Sequence, residues 1–218
     1  MKDIPVFATE NGVAALSLQQ IAYTGIAHIT IHSTQSFTAF LEECIDFCRA
    51  VGAERILACG HEGLSCFPVY TRILSMQMDL PEDASQDCLF PITEASFDEW
   101  LKIYNDGMKG VPNALILSKQ MGKALMEKGI AYFVHNSGDV LGIGIAEVDT
   151  IQAVVSCKRG CGERSMRALF GVLCGDVVKV EVAENNLPAM KLYSRMGFIQ
   201  TGVIKCWYDV TKNILDVK

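Results

Sequence analysis

Glycines and basic residues gather in one short segment in the second half of the sequence. The segment contains Lys158, Arg159, Gly160, Gly162, Arg164 and Arg167. Glycine allows backbone N–H groups to turn inward and to approach an anion closely. The free N–H groups of a helix's first turn, with the positive end of the helix dipole, strengthen such a site. These residue types at this spacing predict a phosphate-binding loop, with an ordinary surface turn as the alternative.

This loop must be positioned by the strands and helices on either side of it. An apolar run at 151–157 predicts a strand before the loop, and a β-branched run at 177–182 predicts another strand after it. Between them, helical spacing predicts a helix with the apolar residues Met166, Leu169, Phe170 and Leu173. After the second strand, the same spacing predicts a helix with the apolar face Ala189, Leu192, Tyr193 and Met196. The loop should therefore join a strand to a helix in a β-α-β-α order.

The rest of the chain also has a readable pattern of strands and helices. Apolar runs separated by turn residues predict strands at 4–8, 13–22, 26–32, 54–59, 89–92, 130–135 and 140–147. Helical spacing predicts helices after Ser36, from Ser96 and after Pro112. A polar run at 81–87 predicts a linker. The predicted domains are therefore 1–80 and 88–218.

A constant spacing between similar residues indicates an internal repeat. It relates Phe7 to Phe133, Gly12 to Gly138, Thr24 to Thr150 and Ala27 to Ala153. After a gap of three residues the spacing falls from 126 to 123, and it then sets Val69–Arg72 against Leu192–Arg195. Each copy should consist of a hairpin, a strand, a helix, a strand and a short helix. The first copy has Ser33–Ser36 in place of Arg159–Gly162, so we expect a degenerate half without a phosphate loop.

Composition restricts the class of protein. Of the 218 residues, 50% are hydrophobic and 20% are charged, which is ample for a globular core. The net charge of −6 argues against a nucleic-acid-binding protein. No apolar stretch reaches the roughly 18 residues that a membrane-spanning helix needs. The nine cysteines lack CxxC pairs, so we expect a cytoplasmic protein without a metal site.

These features together resemble one known family. Arg159–Gly162 opens a helix after a strand, an N-x-x-A pattern ends at Ala189, and the pairs Leu192-Tyr193 and Gly197-Phe198 follow. This order is similar to that of the GNAT superfamily of acyl-CoA N-acyltransferases, over roughly residues 88–210. The resemblance implies an α/β (α+β) fold with a mixed, mostly antiparallel twisted sheet and helices on both faces, built as two unequal GNAT-like halves.

The resemblance also implies a site for acetyl-CoA. The backbone N–H groups of the glycine turn would bind its pyrophosphate: Arg159, Gly160, Cys161, Gly162, Glu163 and Arg164. The family usually has a small residue at position 164, so the Arg164 guanidinium could instead meet a phosphate directly. Val155 and Cys157 would hydrogen-bond the pantetheine arm in a splayed gap between the two parallel strands. Asn185 would contact the cofactor or cap the helix that follows.

The same resemblance implies transfer of an acetyl group to a primary amine of a small molecule or peptide. Tyr193 would protonate the leaving thiolate, since the phenol pKa of about 10 suits that role. A backbone N–H near Val155 would polarise the thioester carbonyl. Glu147 or Asp149 would accept the amine proton through water, unless both are ordinary solvated charges. The sequence is also compatible with a homodimer. The alternative function is a non-catalytic acyl-CoA-binding or regulatory module.

Overall fold

The computed structural model describes residues 5–82 and 87–212. Their fold divides into two compact units. The first unit comprises the chain up to Ile73 together with the residues from Val203 onward, and the second comprises Leu74–Gly202. In the part of the chain that is described, no helix is long and apolar enough to cross a membrane.

Both units contain strands and helices. The strands are β1 Val6–Thr9, β2 Gly12–Ser17, β3 Ile26–Thr34, β4 Arg55–Cys59, β5 Val69–Asp79, β6 Cys88–Pro91, β7 Ala131–Asn136, β8 Asp139–Glu147, β9 Thr150–Ser156, β10 Val177–Ala183 and β11 Ile199–Asp209. The helices are α1 Ile21–Thr24, α2 Phe37–Ala50, α3 Phe97–Met108, α4 Lys119–Glu127, α5 Gly162–Phe170 and α6 Leu187–Met196, with a 3-10 helix at Glu62–Cys66. The β-α-β-α order predicted around the glycine turn is therefore present as β9, α5, β10 and α6.

In the first unit, antiparallel strands lead into a parallel pair. β1 pairs with β2 and β2 with β3 in antiparallel fashion, whereas β3 and β4 are parallel. β11 then pairs with β4, again antiparallel. The buried residues of α2 recur at helical spacing: Phe40, Leu41, Cys44, Ile45 and Cys48. Because these residues share one core cluster with β3 and β4, α2 covers one face of this sheet.

The second unit has helices on both faces of its sheet. β6, β7, β8 and β9 are antiparallel neighbours, and β10 joins β9 in parallel. On one face, Trp100 of α3 shares a core cluster with Ile143 of β8. On the other face, Met166 of α5 shares a core cluster with Val180 of β10. The predicted mixed, mostly antiparallel sheet with helices on both faces is confirmed.

The parallel pair of the second unit is open beyond its first residues. The paired residues are Thr150 with Lys179 and Ile151 with Val180. In the first unit, the corresponding strands stay paired from Ile26 with Arg55 through to Thr30 with Cys59. Beyond Ile151 and Val180, a gap therefore separates β9 from β10. Of the two parallel pairs described, only this one contains such a gap.

The two units share the order of elements that the internal repeat predicted. Each has two hairpin strands, a third strand, a helix and a parallel strand. One part of the predicted alignment is wrong, since Val69–Arg72 belongs to β5 whereas Leu192–Arg195 belongs to α6. The second unit has the 10-residue α6 where the first has only the 3-10 helix. The longer connection shifts the second copy's last strand, so similar letters fall in different secondary structure.

The predicted linker at 81–87 falls partly outside the described residues, which exclude 83–86. The compact units divide the chain at other positions, within β5 after Ile73 and within β11 before Val203. The end of β11 pairs with β4 of the first unit, through Tyr208 and Ala58. The domain boundary at 81–87 stays a prediction.

Candidate functional site

The glycine turn connects β9 to α5 in a confined space. Gly160 has a φ angle of 87°, in the left-handed region that residues with a Cβ rarely adopt. A Cβ on Gly162 would lie 3.2 Å from Ser156 Oγ and 3.3 Å from Leu192 Cδ2. The turn is therefore close to both the end of β9 and α6. Glycine at position 162 keeps open the space between these elements.

The first turn of α5 offers backbone donors that are not used within the protein. The N–H groups of Gly162, Glu163 and Arg164 donate no hydrogen bond to another described residue. The first N–H groups of any helix lack a helical acceptor, and the N-cap residue here, Cys161, provides no side-chain cap. Such a row of N–H groups at a helix N-terminus is suited to binding an anion.

Most basic side chains near the turn are held in ion pairs. Lys158 Nζ lies 2.9 Å from Asp139 Oδ2, and Arg167 Nη2 lies 3.0 Å from Glu163 Oε1. Arg159, by contrast, makes no ion pair or side-chain hydrogen bond with the described residues. Its charge is therefore the one near the turn that a bound anion would neutralise.

The side chain of Arg164 is bound by Asp87 instead of facing an anion. Its Nε and Nη2 atoms donate to both carboxylate oxygens, at 3.1 and 2.6 Å. Asn136 Nδ2 donates to the same carboxylate at 2.7 Å. The hydrogen bond from Arg164 holds the pKa of Asp87 below its ordinary value of 3.8. The guanidinium of Arg164 is therefore already paired with a carboxylate and does not face an anion at the turn. Only the backbone N–H of Arg164 remains available.

The residues of β9 whose backbone groups face the gap are not the residues that the sequence predicted. The Cys157 N–H donates to the carbonyl of Leu141 in β8 at 2.9 Å. Val155 is also paired with β8, and its N–H points the same way because strand residues two apart share a direction. The predicted pair, Val155 and Cys157, is therefore directed at β8. Val154 and Ser156 direct their backbone groups toward the gap.

Tyr193 has a half-buried ring in the core cluster of α5 and α6. Its ring centroid lies 5.4 Å from that of Phe198, and its hydroxyl bonds to no other described residue. Burial raises the pKa of the phenol to about 12. The hydroxyl therefore stays protonated at neutral pH and is available as a donor. Its neighbour Leu192 is the α6 residue that approaches Gly162.

The cap of α6 is provided by Asn186. Its Oδ1 atom accepts a hydrogen bond from the Ala189 N–H at 3.3 Å. The capping role considered for Asn185 thus belongs to the next residue, because the helix begins at Leu187. A cofactor contact by Asn185 stays a prediction.

Glu147 lies at the opposite end of β9 from the glycine turn. It pairs with Thr150, about 20 Å from the strand's last residue at roughly 3.3 Å per residue. Its Oε2 atom accepts from Nε2 of Gln152 at 3.2 Å, and Gln152 is the extra residue of a β-bulge facing β8. The other predicted base, Asp149, is bound by Lys179, which lowers the pKa of its carboxyl. Asp149 therefore has an ion-pair partner, whereas Glu147 has none among the described residues.

A cleft of about 480 Å³ lies between α3 and the end of β9. Its apolar lining includes Phe133, Val140 and Val155. A Cβ on Gly107 of α3 would lie 2.2 Å from Val155 Cγ1. The helix therefore approaches β9 at a distance that only glycine permits, and this contact shapes the cleft.

Charged residues of α3 that the sequence analysis missed also line this cleft: Glu99, Lys102 and Asp106. They lie three and four positions apart, on the helix face opposite the buried Trp100 and Tyr104. Their helical spacing was visible in the sequence. Spacing alone does not tell whether a charged helix face borders bulk water or a cleft. The sequence was therefore not sufficient to identify these residues as part of a site.

Comparison with solved structures identifies the fold. A GCN5-related N-acetyltransferase from Sphaerobacter thermophilus matches with a TM-score of 0.57 and 11% identity, over 93% of this chain and 78% of that chain. An acetyltransferase of the GNAT family from Colwellia psychrerythraea matches with a TM-score of 0.52 and 10% identity, over 94% and 84%. A tandem GNAT protein from the clavulanic acid biosynthesis pathway matches with a TM-score of 0.50 and 13% identity, over 91% and 79%. No protein-family model and no curated protein matches the sequence. The chain has the GNAT fold.

Proposed function

We propose that the second unit of this GNAT fold is an N-acyltransferase. It would move an acetyl group from acetyl-CoA to a primary amine of a small molecule or peptide, by direct attack in a ternary complex. One observation carries the proposal. The unused N–H groups at the start of α5 lie at the end of β9, where β9 and β10 are no longer paired. The pyrophosphate of acetyl-CoA would fit at the start of α5. Its extended pantetheine arm, which carries amide groups, would fit in the gap between β9 and β10.

The residues of the site fit acetyl-CoA in chemical type. The backbone N–H groups of Gly160 and Gly162–Arg164 would hold the pyrophosphate, and Arg159 would add a charge-assisted contact. The predicted contact from Cys161 is not available, because its N–H donates to the Lys158 carbonyl at 3.2 Å. Val154 and Ser156 would pair with the amides of the pantetheine arm. An arm in the gap would thereby complete hydrogen bonds that β9 and β10 do not make with each other.

When bound, acetyl-CoA supplies the thioester whose carbonyl carbon the amine attacks. Tyr193 would donate its proton to the sulfur as the C–S bond breaks and the C–N bond forms. A backbone N–H of β9 that faces the gap, at Val154, would stabilise the negative charge on the carbonyl oxygen. The amine proton would pass to a carboxylate near the gap; Glu147, which the sequence predicts for this role, pairs with Thr150 at the other end of β9.

A route through an acylated cysteine is not favoured by the thiol beside the cleft. Burial, together with the neighbouring Cys161, raises the pKa of the Cys157 thiol above its ordinary value. A nucleophilic cysteine needs the opposite shift, because the thiolate is the reactive form. The acetyl group would therefore pass directly to the amine.

The test is to incubate the full chain with acetyl-CoA and a broad panel of primary amines and to quantify released CoA and acetylated product by chromatography and mass spectrometry. Thiol-reactive dyes are unsuitable because Cys66, Cys88 and Cys174 are exposed. Amine-dependent release would support the proposal. Binding of acetyl-CoA in calorimetry without release for any amine would refute it and would favour a non-catalytic acyl-CoA-binding module.

A further inference from the structure

The cleft between α3 and β9 contains charges that the described chain does not neutralise. Glu99, Lys102 and Asp106 are exposed and form no ion pair or side-chain hydrogen bond with another described residue. Opposite charges three or four residues apart on a helix commonly pair with each other. The neighbouring Asp98 does form an ion pair, with its Oδ1 atom 3.0 Å from Lys119 Nζ. The three charges of the cleft are instead available to a ligand.

These charges alternate in sign along α3. At about 1.5 Å per residue, Glu99 lies about 4.5 Å before Lys102 along the helix axis, and Asp106 lies about 6 Å after it. A cation flanked by two anions is complementary to a ligand that carries both an ammonium and a carboxylate group. A simple amine would leave Lys102 beside a like charge, which is unfavourable.

The remaining surface of the cleft is apolar and adjoins the gap. Phe133 and Val140 line it, and Val155 and Ser156 belong both to the cleft and to the strand that borders the gap. Small-molecule sites commonly combine such an apolar lining with a few convergent polar groups. The ligand should therefore carry an apolar side chain next to its two charged groups.

We propose that this cleft binds the acceptor of the acyl transfer and that the acceptor is a free amino acid with an apolar side chain; this inference rests on the proposed function. Lys102 would bind the carboxylate, and the apolar lining would contact the side chain. Glu99 would hold the ammonium group and accept its proton, because Glu147 pairs with Thr150, about 20 Å along β9 from Ser156 in the cleft. The neutral amine nitrogen would then bond to the acyl carbon as the C–S bond breaks, and the sulfur would take the proton of Tyr193.

The decisive comparison uses three acceptors that differ in one group. Leucine, leucinamide and isoamylamine share the amine and the hydrocarbon side chain, but only leucine has the carboxylate. With the full chain and acetyl-CoA, we expect kcat/KM for leucine to exceed that for each of the others by about tenfold or more, as expected for one charge-assisted contact.

Variants of the cleft assign that preference to particular residues. Lys102→Ala should raise the KM for leucine about tenfold, whereas the KM for leucinamide, which has no carboxylate and loses a like charge, should stay the same or fall. Glu99→Gln should lower kcat for all three amines, since each must lose a proton. Lys128→Ala is the matched control, because Lys128 is exposed and lies outside the cleft.

Two results would overturn the inference in different ways. Acetylation of some amines without a preference for leucine, or an unchanged leucine KM in Lys102→Ala, would refute the amino-acid acceptor and leave N-acyl transfer standing. Binding of acetyl-CoA without CoA release for any amine would refute the proposed function and this inference together.

Discussion

Tyr193 offers a hydroxyl donor on a buried ring, and replacing it tests the proposed acid. Tyr193→Phe removes the proton donor but keeps the ring contact with Phe198. We expect kcat to fall about 100-fold, a common value for loss of a positioned acid, with little change in the dissociation constant of acetyl-CoA. Tyr23→Phe, at an exposed tyrosine of the first unit, should have no effect. Equal turnover in Tyr193→Phe and wild type would remove Tyr193 from the mechanism.

The pH dependence of turnover follows from the burial of the same ring. Because burial raises the phenol pKa to about 12, Tyr193 holds its proton throughout the neutral and mildly alkaline range. A pH series of kcat should therefore show no decline due to Tyr193 up to about pH 11. An alkaline decline centred near pH 10 in the wild type that disappears in Tyr193→Phe would contradict this expectation.

Arg159 and Arg164 are close in sequence, but their different partners predict different consequences. Arg159→Ala should weaken acetyl-CoA binding about tenfold and reduce its dependence on salt, because it removes a charge that the described chain does not neutralise. Calorimetric titrations at low and high salt measure both effects. Lys128→Ala removes the same charge away from the turn and should bind as the wild type does.

Arg164→Ala should instead destabilise the fold in a pH-dependent way. Arg164 lowers the pKa of Asp87 in the folded state below its ordinary value, so the pair stabilises the protein above that value and loses its effect as the pH falls through the folded pKa. Melting temperatures of wild type and variant should therefore differ at neutral pH and converge in acid. A difference that stays constant from about pH 7 to about pH 2 would show that the charge pair is not its cause.

At the scale of elements, Gly107 sets how closely α3 approaches β9. Alanine in a helix is normally more favourable than glycine by about 1 kcal/mol, but here its Cβ would lie 2.2 Å from the stiff side chain of Val155. We expect Gly107→Ala to lower the free energy of unfolding by about 1–3 kcal/mol, because the overpacking outweighs the helix propensity. Denaturant titration measures this change.

The double variant Gly107→Ala with Val155→Ala tests the cause of that loss. Truncating Val155 removes the two methyl groups that the new Cβ would meet at 2.2 and 2.9 Å, so the pair of changes should be less destabilising than the sum of the two. If the losses of unfolding free energy in the two single variants add up in the double variant, the strain does not arise from contact between positions 107 and 155. Amine KM should rise in Gly107→Ala while acetyl-CoA binding is preserved, since the cleft and not the glycine turn is altered.

The elements were largely predictable from the sequence because their signals are local. Apolar spacing and glycine position predicted β9, α5, β10 and α6. β5 was missed because its letters resembled those of α6, and only strand pairing distinguishes them. Arg164 could not be assigned from sequence because its partner, Asp87, is distant in the chain. The direction of the backbone at Val155 depends likewise on the register with β8, which no local pattern encodes.

At the scale of the whole molecule, the two units have the same order of elements but differ in the features proposed to bind acetyl-CoA. In the first unit, β3 and β4 stay paired where β9 and β10 separate, so their backbone groups already satisfy each other. A Cβ on Gly60, which follows β4, would lie 2.3 Å from the Ile31 carbonyl oxygen, so the chain there is closely packed against β3. Ser33–Ser36 also replaces the glycine turn. An acyl-CoA arm therefore has no gap to enter in the first unit.

We accordingly expect one acetyl-CoA per chain. Calorimetry on the full chain should give a stoichiometry of about one, and Gly160→Val should abolish the whole signal, because a β-branched residue at a φ of 87° is strained and would distort the turn. Gly52→Val is the matched control, since Gly52 has a similar φ of 92° but follows α2 in the first unit. It should cost stability while leaving the binding heat intact. A stoichiometry near two, or binding that survives in Gly160→Val, would show that the first unit also binds the ligand and that its closed strand pair can open.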